Sequence, residues 1–153
     1  MIIDVNDLAV GEMFWTEITG REVGISAWNG RYSHLVSPES GHPDLVLQLV
    51  DAVKGADPNR AHLDIAPTDG VDAAISRIIE LGGRVKKEPS IYPRPGSSDA
   101  TPSADWAVLQ DPFGNEFCLI DPLSREQRSL ILDAARSGVA SDHDLRVAAG
   151  LTR

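Results

Sequence analysis

The order of predicted elements repeats once along the chain, and this repeat restricts the fold more than any other feature. The first half predicts a strand, a helix and three strands, at residues 1–5, 8–19, 21–28, 31–36 and 44–50. The second half predicts the same order, at residues 61–66, 71–81, 84–87, 106–110 and 116–120. Apolar residues recur near every 3.6 positions in helices and every 2 in strands. The repeat predicts an α+β fold in which paired βαβββ modules form a curled eight-stranded mixed sheet around a cleft.

Residues 106–121 contain the clearest hairpin of the second half. The segment DPFGN separates two alternating strands, and its proline and glycine suit a chain reversal. On the second strand Phe117 and Leu119 point one way, whereas Glu116, Cys118 and Ile120 point the other. One face therefore packs on apolar residues, and the other can line a cavity.

Capping residues define the predicted helices. Asp7 precedes the first helix and Gly20 ends it, and Thr68 or Asp69 caps the second. The second helix is predicted to bury four residues: Ala74, Ile75, Ile78 and Ile79. Asn29-Gly30 predicts a type I′ turn, because both central residues of that turn need φ > 0.

Two segments lie outside the regular pattern. Residues 88–104 are rich in Pro and Ser and predict a long loop that acts as a lid, a binding loop or a disordered excursion. Residues 122–153 predict a helical extension, in which Ser124 and Gln127 have capping-box spacing and Leu130, Ile131 and Ala134 form a buried stripe. The extension can cover a sheet edge, contact a second subunit or line the cleft. The predicted domain spans 1–121, with modules at 1–53 and 59–121.

Composition excludes several classes of protein. The chain has 153 residues, which is enough for one domain with a substantial core. A net charge of −9 argues against binding to nucleic acid or anionic membranes, and it suits solubility or a weakly attracted cationic ligand. One cysteine excludes an internal disulfide. The N-terminus lacks signal-peptide features, so we expect a cytoplasmic protein.

The pattern resembles the vicinal oxygen chelate superfamily of glyoxalase I, bleomycin-resistance and extradiol dioxygenase relatives, and most closely the single-domain glyoxalase-like proteins of actinobacteria. The resemblance covers residues 1–121. It rests on the segments DL at 7–8, FW at 14–15, HLD at 62–64, LGG at 81–83 and DPFGNEFC at 111–118. The fold hosts isomerases, lyases, dioxygenases and metal-free binders. It also implies a homodimer.

The resemblance implies a divalent metal ion in the cleft, held by residues of the first and last strand of each module. The matching positions are Gln48, His62 and Cys118. The remaining ligand would fall before Met1, so the usual set is incomplete. One interpretation is a metal site of these three residues, holding Zn, Ni, Mn or Fe, with zinc favoured by the sulfur. The other is a metal-free cleft in which His62 hydrogen-bonds Asp64, Gln48 or a ligand.

Further candidate site residues complete the prediction. Tyr92 and Arg94 on the long loop can reach over the cleft to contact a ligand or can simply lie exposed. Trp106 forms either a cleft wall or part of the core. Glu116 is a candidate general base beside His62, or a solvated charge.

Two functions from different classes follow. The first is a binding module that holds a small metabolite or antibiotic, which can be cationic, without chemistry, as the resemblance to bleomycin-resistance proteins implies. The second is a glyoxalase-type lyase or isomerase that uses a cleft metal ion, or His62 with Glu116, to enolise or open a substrate.

Overall fold

The computed structural model describes residues 1–27, 30–57, 59, 61–96 and 101–152. The strands of this part are β1 (Ile2–Val5), β2 (Glu22–Ala27), β3 (Tyr32–Val36), β4 (Pro43–Leu49), β5 (Asp64–Ile65), β6 (Arg84–Tyr92), β7 (Ala104–Gln110) and β8 (Glu116–Pro122). The helices are α1 (Leu8–Thr19), α2 (Val71–Glu80), α3 (Arg125–Arg136) and α4 (Asp142–Ala148). None of these helices has the length and apolar character that crossing a membrane requires. Asn29 of the predicted turn lies outside the described residues.

The strand order confirms the duplicated module. One four-stranded sheet has the order β1-β4-β3-β2 and the other β5-β8-β7-β6. In each module the first strand therefore pairs with the last, and both of these pairs are parallel. The eight predicted strands are shared equally between two mixed sheets, and the chain has the predicted α+β architecture of paired βαβββ modules with C-terminal helices.

The chain forms two compact units. The first unit comprises Met1–Ala61, Ile78–Arg84 and Gln110–Glu116, and the second comprises His62–Arg77, Val85–Leu109 and Phe117–Arg153. The predicted boundaries at residues 53, 59 and 121 stay a prediction.

Helix α1 anchors the core of the first unit. The side chain of Asp7 accepts a hydrogen bond from Val10 N, and Gly20 ends the helix with φ 65°, as predicted. Phe14 and Trp15 are buried, whereas Met13 is exposed. The burial of these two side chains stabilises α1 more than its intrinsic helix propensity does, because a helix of this length needs tertiary packing.

The turn that joins β7 to β8 is built around the buried side chain of Asp111. Its Oδ1 accepts from the backbone N–H groups of Phe113 (2.9 Å) and Asn115 (2.8 Å). Its Oδ2 accepts from Asn115 Nδ2 (2.9 Å) and from Trp15 Nε1 on α1 (3.3 Å). Asn115 Nδ2 also donates to the carbonyl of Asp4 on β1. Burial raises the pKa of Asp111 although these donors favour its ionised form.

Helix α2 follows the predicted pattern with one correction. Val71 and Ile78 are buried, but Ile79 is 54% exposed, so the prediction that it points inward was wrong. Gly83, which follows the helix, has no room for a side chain. An added Cβ would lie 2.6 Å from Ile78 Cγ2 and 2.9 Å from the carbonyl oxygen of Gln110.

The predicted loop at residues 88–104 begins later than expected, because its first five residues belong to β6. Strand β6 continues to Tyr92, and β7 begins at Ala104. Pairing with β7 overrides the unfavourable local sequence, and Pro89 is tolerated because β6 is the edge strand. Strand β5 is in contrast shorter than predicted, since its pairing with β8 is limited to Asp64 with Cys118 and Ile65 with Leu119.

The C-terminal extension packs within the second unit. The predicted capping box of Ser124 and Gln127 is present at the start of α3. Ile131 is buried in a cluster with Ile91, Leu123, Leu145 and Ala149, whereas Leu130 is 43% exposed and was wrongly assigned to the buried stripe. Asp142 Oδ1 accepts from the backbone N–H of Ile91 on edge strand β6 (3.4 Å).

A buried ion pair also holds the extension. Arg146 of α4 is 5% exposed, and Asp105 of β7 is 1% exposed. Arg146 Nε lies 2.9 Å from Asp105 Oδ1 and Nη2 lies 3.0 Å from Oδ2, so the pair is bidentate. Nη2 also donates to Asp72 Oδ1 of α2 (2.5 Å). The guanidinium therefore ties α4 to the sheet and to α2.

Replacing Asp111 by Asn should lower the free energy of unfolding by about 1–3 kcal/mol. The amide oxygen would keep the two backbone donors, and the new NH₂ would face the N–H of Trp15. Two donors would then face each other. Denaturant unfolding of Asp111→Asn, Trp15→Phe and the double variant measures the cost of this contact. Trp15→Phe should cost less in the Asn background than in the wild type, with a coupling of about 1 kcal/mol. Additive effects would contradict the contact.

Replacing Arg146 by Met should lower the free energy of unfolding by about 3–5 kcal/mol, because it strands the charge of Asp105. Arg136→Met is the matched control, since Arg136 forms an exposed pair with Asp133. The control should cost less than about 1 kcal/mol. If Arg146→Met and Arg136→Met lowered the free energy of unfolding equally in chemical denaturation, the buried pair would have no special role.

Candidate functional site

One face of the second sheet carries several of the predicted site residues. Asp105 of β7 points toward α4, where it binds Arg146. Trp106 and Val108 alternate with the buried residues of β7 and therefore point to the opposite face. Phe117 and Leu119 of β8 are almost fully buried. The neighbouring Cys118 lies beside Asp64 in the parallel pair of β8 and β5, so these two residues share a face.

His62, Asp64 and Cys118 form a compact cluster. One ligand atom of each lies within 4.8 Å of the other two. His62 Nε2 lies 3.3 Å from Asp64 Oδ1, which brings together the pair that the metal-free interpretation predicts. The side chains of His62 and Asp64 are 50% and 56% exposed, whereas Cys118 is 7% exposed. The backbone N–H of Cys118 donates to the carbonyl of Leu63 (2.8 Å), which fixes the segment before β5 against β8.

The donor atoms of this cluster fit a divalent metal ion. Nitrogen, carboxylate oxygen and sulfur are all zinc ligands, and three protein ligands with an open position are typical of catalytic sites. Donor atoms in a tetrahedral zinc site lie about 3.3–3.8 Å apart, so the cluster must contract slightly. His62 and Asp64 are exposed and can rotate to do so. The imidazole nitrogen and the cysteine sulfur are softer donors than oxygen. They therefore favour zinc over Mn²⁺, which prefers oxygen ligands.

Aromatic and basic side chains lie on β6 and β7. The ring centroids of Tyr92 and Trp106 are 5.7 Å apart in an edge-to-face arrangement. Lys87 Nζ lies 3.8 Å from the centroid of the Trp106 ring, within cation–π distance. Trp106 is half-buried, so it is accessible to a ligand. Lys87 was not among the residues predicted from the sequence. The basic run RVKK at 84–87 was the pattern that could have indicated it.

Arg94 is held by the C-terminal extension. Its Nη2 donates to the carbonyl of Ala140, and its Nη1 lies 3.6 Å from Asp142 Oδ2. These contacts connect Arg94 to the extension, and ligand binding by Arg94 stays a prediction.

Gln48 and Glu116 belong to the first unit. Gln48 lies on β4, beside Asp4 of β1 and Tyr32 of β3. Glu116 begins β8, and its carbonyl accepts a hydrogen bond from Asn59 Nδ2 (3.4 Å). Metal binding by Gln48 and general-base catalysis by Glu116 stay predictions.

Comparison with known proteins identifies the family of the chain. Residues 1–120 match the family described as the glyoxalase-like domain. The chain belongs to this family. No curated protein sequence matches the chain.

Solved structures show the same fold at low sequence identity. The fosfomycin resistance protein FosX from Listeria monocytogenes is 19% identical, with a TM-score of 0.59, over 84% of this chain and 91% of that one. A glyoxalase/bleomycin resistance protein from Albidiferax ferrireducens T118 is 22% identical, with a TM-score of 0.52, over 79% and 95% of the two chains. A mutant of FosX is complexed with Mn(II) and 1S,2S-dihydroxypropylphosphonic acid. The family match confirms the predicted glyoxalase-like domain, and these solved structures share its fold. A special likeness to actinobacterial proteins stays a prediction.

Proposed function

We propose that this glyoxalase-like protein binds a small molecule on the face of the second sheet that carries His62, Asp64, Cys118 and Trp106. The cluster of three polar groups within 4.8 Å carries the proposal, since binding sites combine an apolar surface with a few convergent polar groups. Trp106 supplies the aromatic surface. The pairing of His62 with Asp64 supports binding without a metal ion, because the imidazole already has a protein partner.

The residues have distinct parts in such a complex. Asp64 Oδ1 lies 3.3 Å from His62 Nε2, so the carboxylate is beside this edge of the ring and Nδ1 can face the ligand. Trp106 offers its ring to an apolar or aromatic part of the ligand. Lys87 places a positive charge beside that ring. A homodimer and a cytoplasmic location are part of the same proposal.

Loss of the His62 imidazole should weaken ligand binding at least about tenfold, or about 1.4 kcal/mol. The experiment screens a fragment library by ligand-observed NMR with EDTA present, and measures each hit against wild type, His62→Ala and Trp106→Ala. His42→Ala is the matched control, because His42 is exposed outside any described strand or helix. Hits that bind all four proteins equally would place the ligand elsewhere.

Metal-dependent catalysis of the lyase or isomerase type is the second candidate function. The fit of the three donor atoms to zinc favours it. A bound ion would supply Lewis acidity at this face. In this case His62, Asp64 and Cys118 are ligands, and the exposure of the first two leaves room for a substrate.

Zinc binding distinguishes the two candidates. If the second is correct, purified protein should contain about one zinc ion per chain, as expected for a resident catalytic metal. His62→Ala should then lower zinc affinity at least about tenfold in calorimetric titration, whereas His42→Ala should not. Unchanged affinity in His62→Ala, or protein that takes up no zinc, would exclude this cluster as the metal site.

A further inference from the structure

A second candidate binding site lies in the first unit, at the ends of β1 and β4. It is a cavity of about 420 Å³, within the range of small-molecule sites. Its walls come from Asp4 of β1 and the nearby Asn6, from residues 50, 52–55, 57 and 59, and from the turn between β7 and β8. None of the residues in the proposed ligand-binding face lines it.

Two of the asparagines that line this cavity, Asn6 and Asn115, donate through their side chains to other groups of the protein. Asn6 Nδ2 donates to the carbonyls of Val50 (2.9 Å) and Ala52 (3.0 Å). Asn115 Nδ2 donates to the carbonyl of Asp4 and to Asp111 Oδ2. Both N–H bonds of each amide are therefore used by the protein. The amide oxygens keep their capacity to accept hydrogen bonds.

The charges of the cavity also favour a donor ligand. Asp4 and Asp57 are among the residues that line it, and the only cationic side chain among its described lining residues is Lys54. Lys54 Nζ donates to the carbonyls of Gly55 (3.3 Å) and Asp57 (2.5 Å), so its ammonium group is bound to the protein. An anionic ligand would meet two carboxylates. A cation would replace water around them.

Apolar lining separates these polar groups. Val50, Val53 and Phe113 line the same cavity. Methylene groups can pack on the two valines, and the ring of Phe113 can attract a cation through its π face. The combination suits a molecule with an aliphatic chain and ammonium ends.

We infer that this cavity binds an aliphatic diamine or polyamine. Ammonium groups donate three hydrogen bonds and accept none, which matches carboxylates and amide oxygens. A cavity of about 420 Å³ can hold a five-carbon diamine. The acidic protein, with a net charge of −9, also attracts such cations.

Calorimetric titration with pentane-1,5-diamine tests the inference, and pentane-1,5-diol is the uncharged control of equal length. The diamine should bind, the diol should not, and raising the salt concentration should weaken binding. The variant Asp4→Asn/Asp57→Asn should lose at least about tenfold in affinity. Asp51→Asn removes a nearby exposed carboxylate that does not line the cavity, and it should leave affinity unchanged.

Three results would overturn the inference. The wild type could fail to bind the diamine, it could bind the diol as tightly as the diamine, or Asp51→Asn could lose as much affinity as Asp4→Asn/Asp57→Asn. Thermal unfolding of each variant verifies that it is folded. His62→Ala should leave diamine binding intact. The experiment therefore tests the cavity independently of the proposed ligand-binding face.

Discussion

The buried carboxylate of Asp111 holds together segments of the first unit that are distant in sequence. It accepts four hydrogen bonds, from the backbone and side chain of its own turn and from Trp15 on α1. Burial makes its charge costly, and the four donors compensate for the lost water. Asn115 extends the network to β1 by donating to the carbonyl of Asp4. Asn115 also lines the cavity of the first unit, so this network and the cavity share a residue.

The second unit depends on a comparable constraint. Parallel pairing of β5 with β8 sets Asp64 beside Cys118, and the adjacent His62 completes the cluster. On the other side of the sheet, Arg146 binds the buried Asp105 and connects α4 to β7 and α2. The helical extension is therefore an integral layer of this unit. Asp105 faces α4, and the alternation of side chains along β7 places Trp106 and Val108 on the opposite face.

Sequence patterns predicted the parts of the fold that local interactions dictate. The bounds of α1 and its Asp7 cap, the capping box of α3 and the module order all followed from spacing, because caps and periodicity act within a few residues. The predictions were wrong where contacts between residues distant in sequence determine the structure. Strand β6 extends through a proline-containing segment since β7 pairs with it, and Ile79 and Leu130 are exposed although helical spacing assigned them inward.

The sequence alone determined the duplicated α+β architecture, and it named His62, Asp64 and Cys118 among a larger set of candidate site residues. Only the tertiary structure decided that these three residues meet, that Arg94 binds the extension and that Lys87 lies over Trp106. It also revealed the cavity of the first unit. The physical reason is the range of the forces. Backbone preferences and hydrophobic periodicity are read within one element, whereas strand register and the partners of buried charges are set only when elements pack.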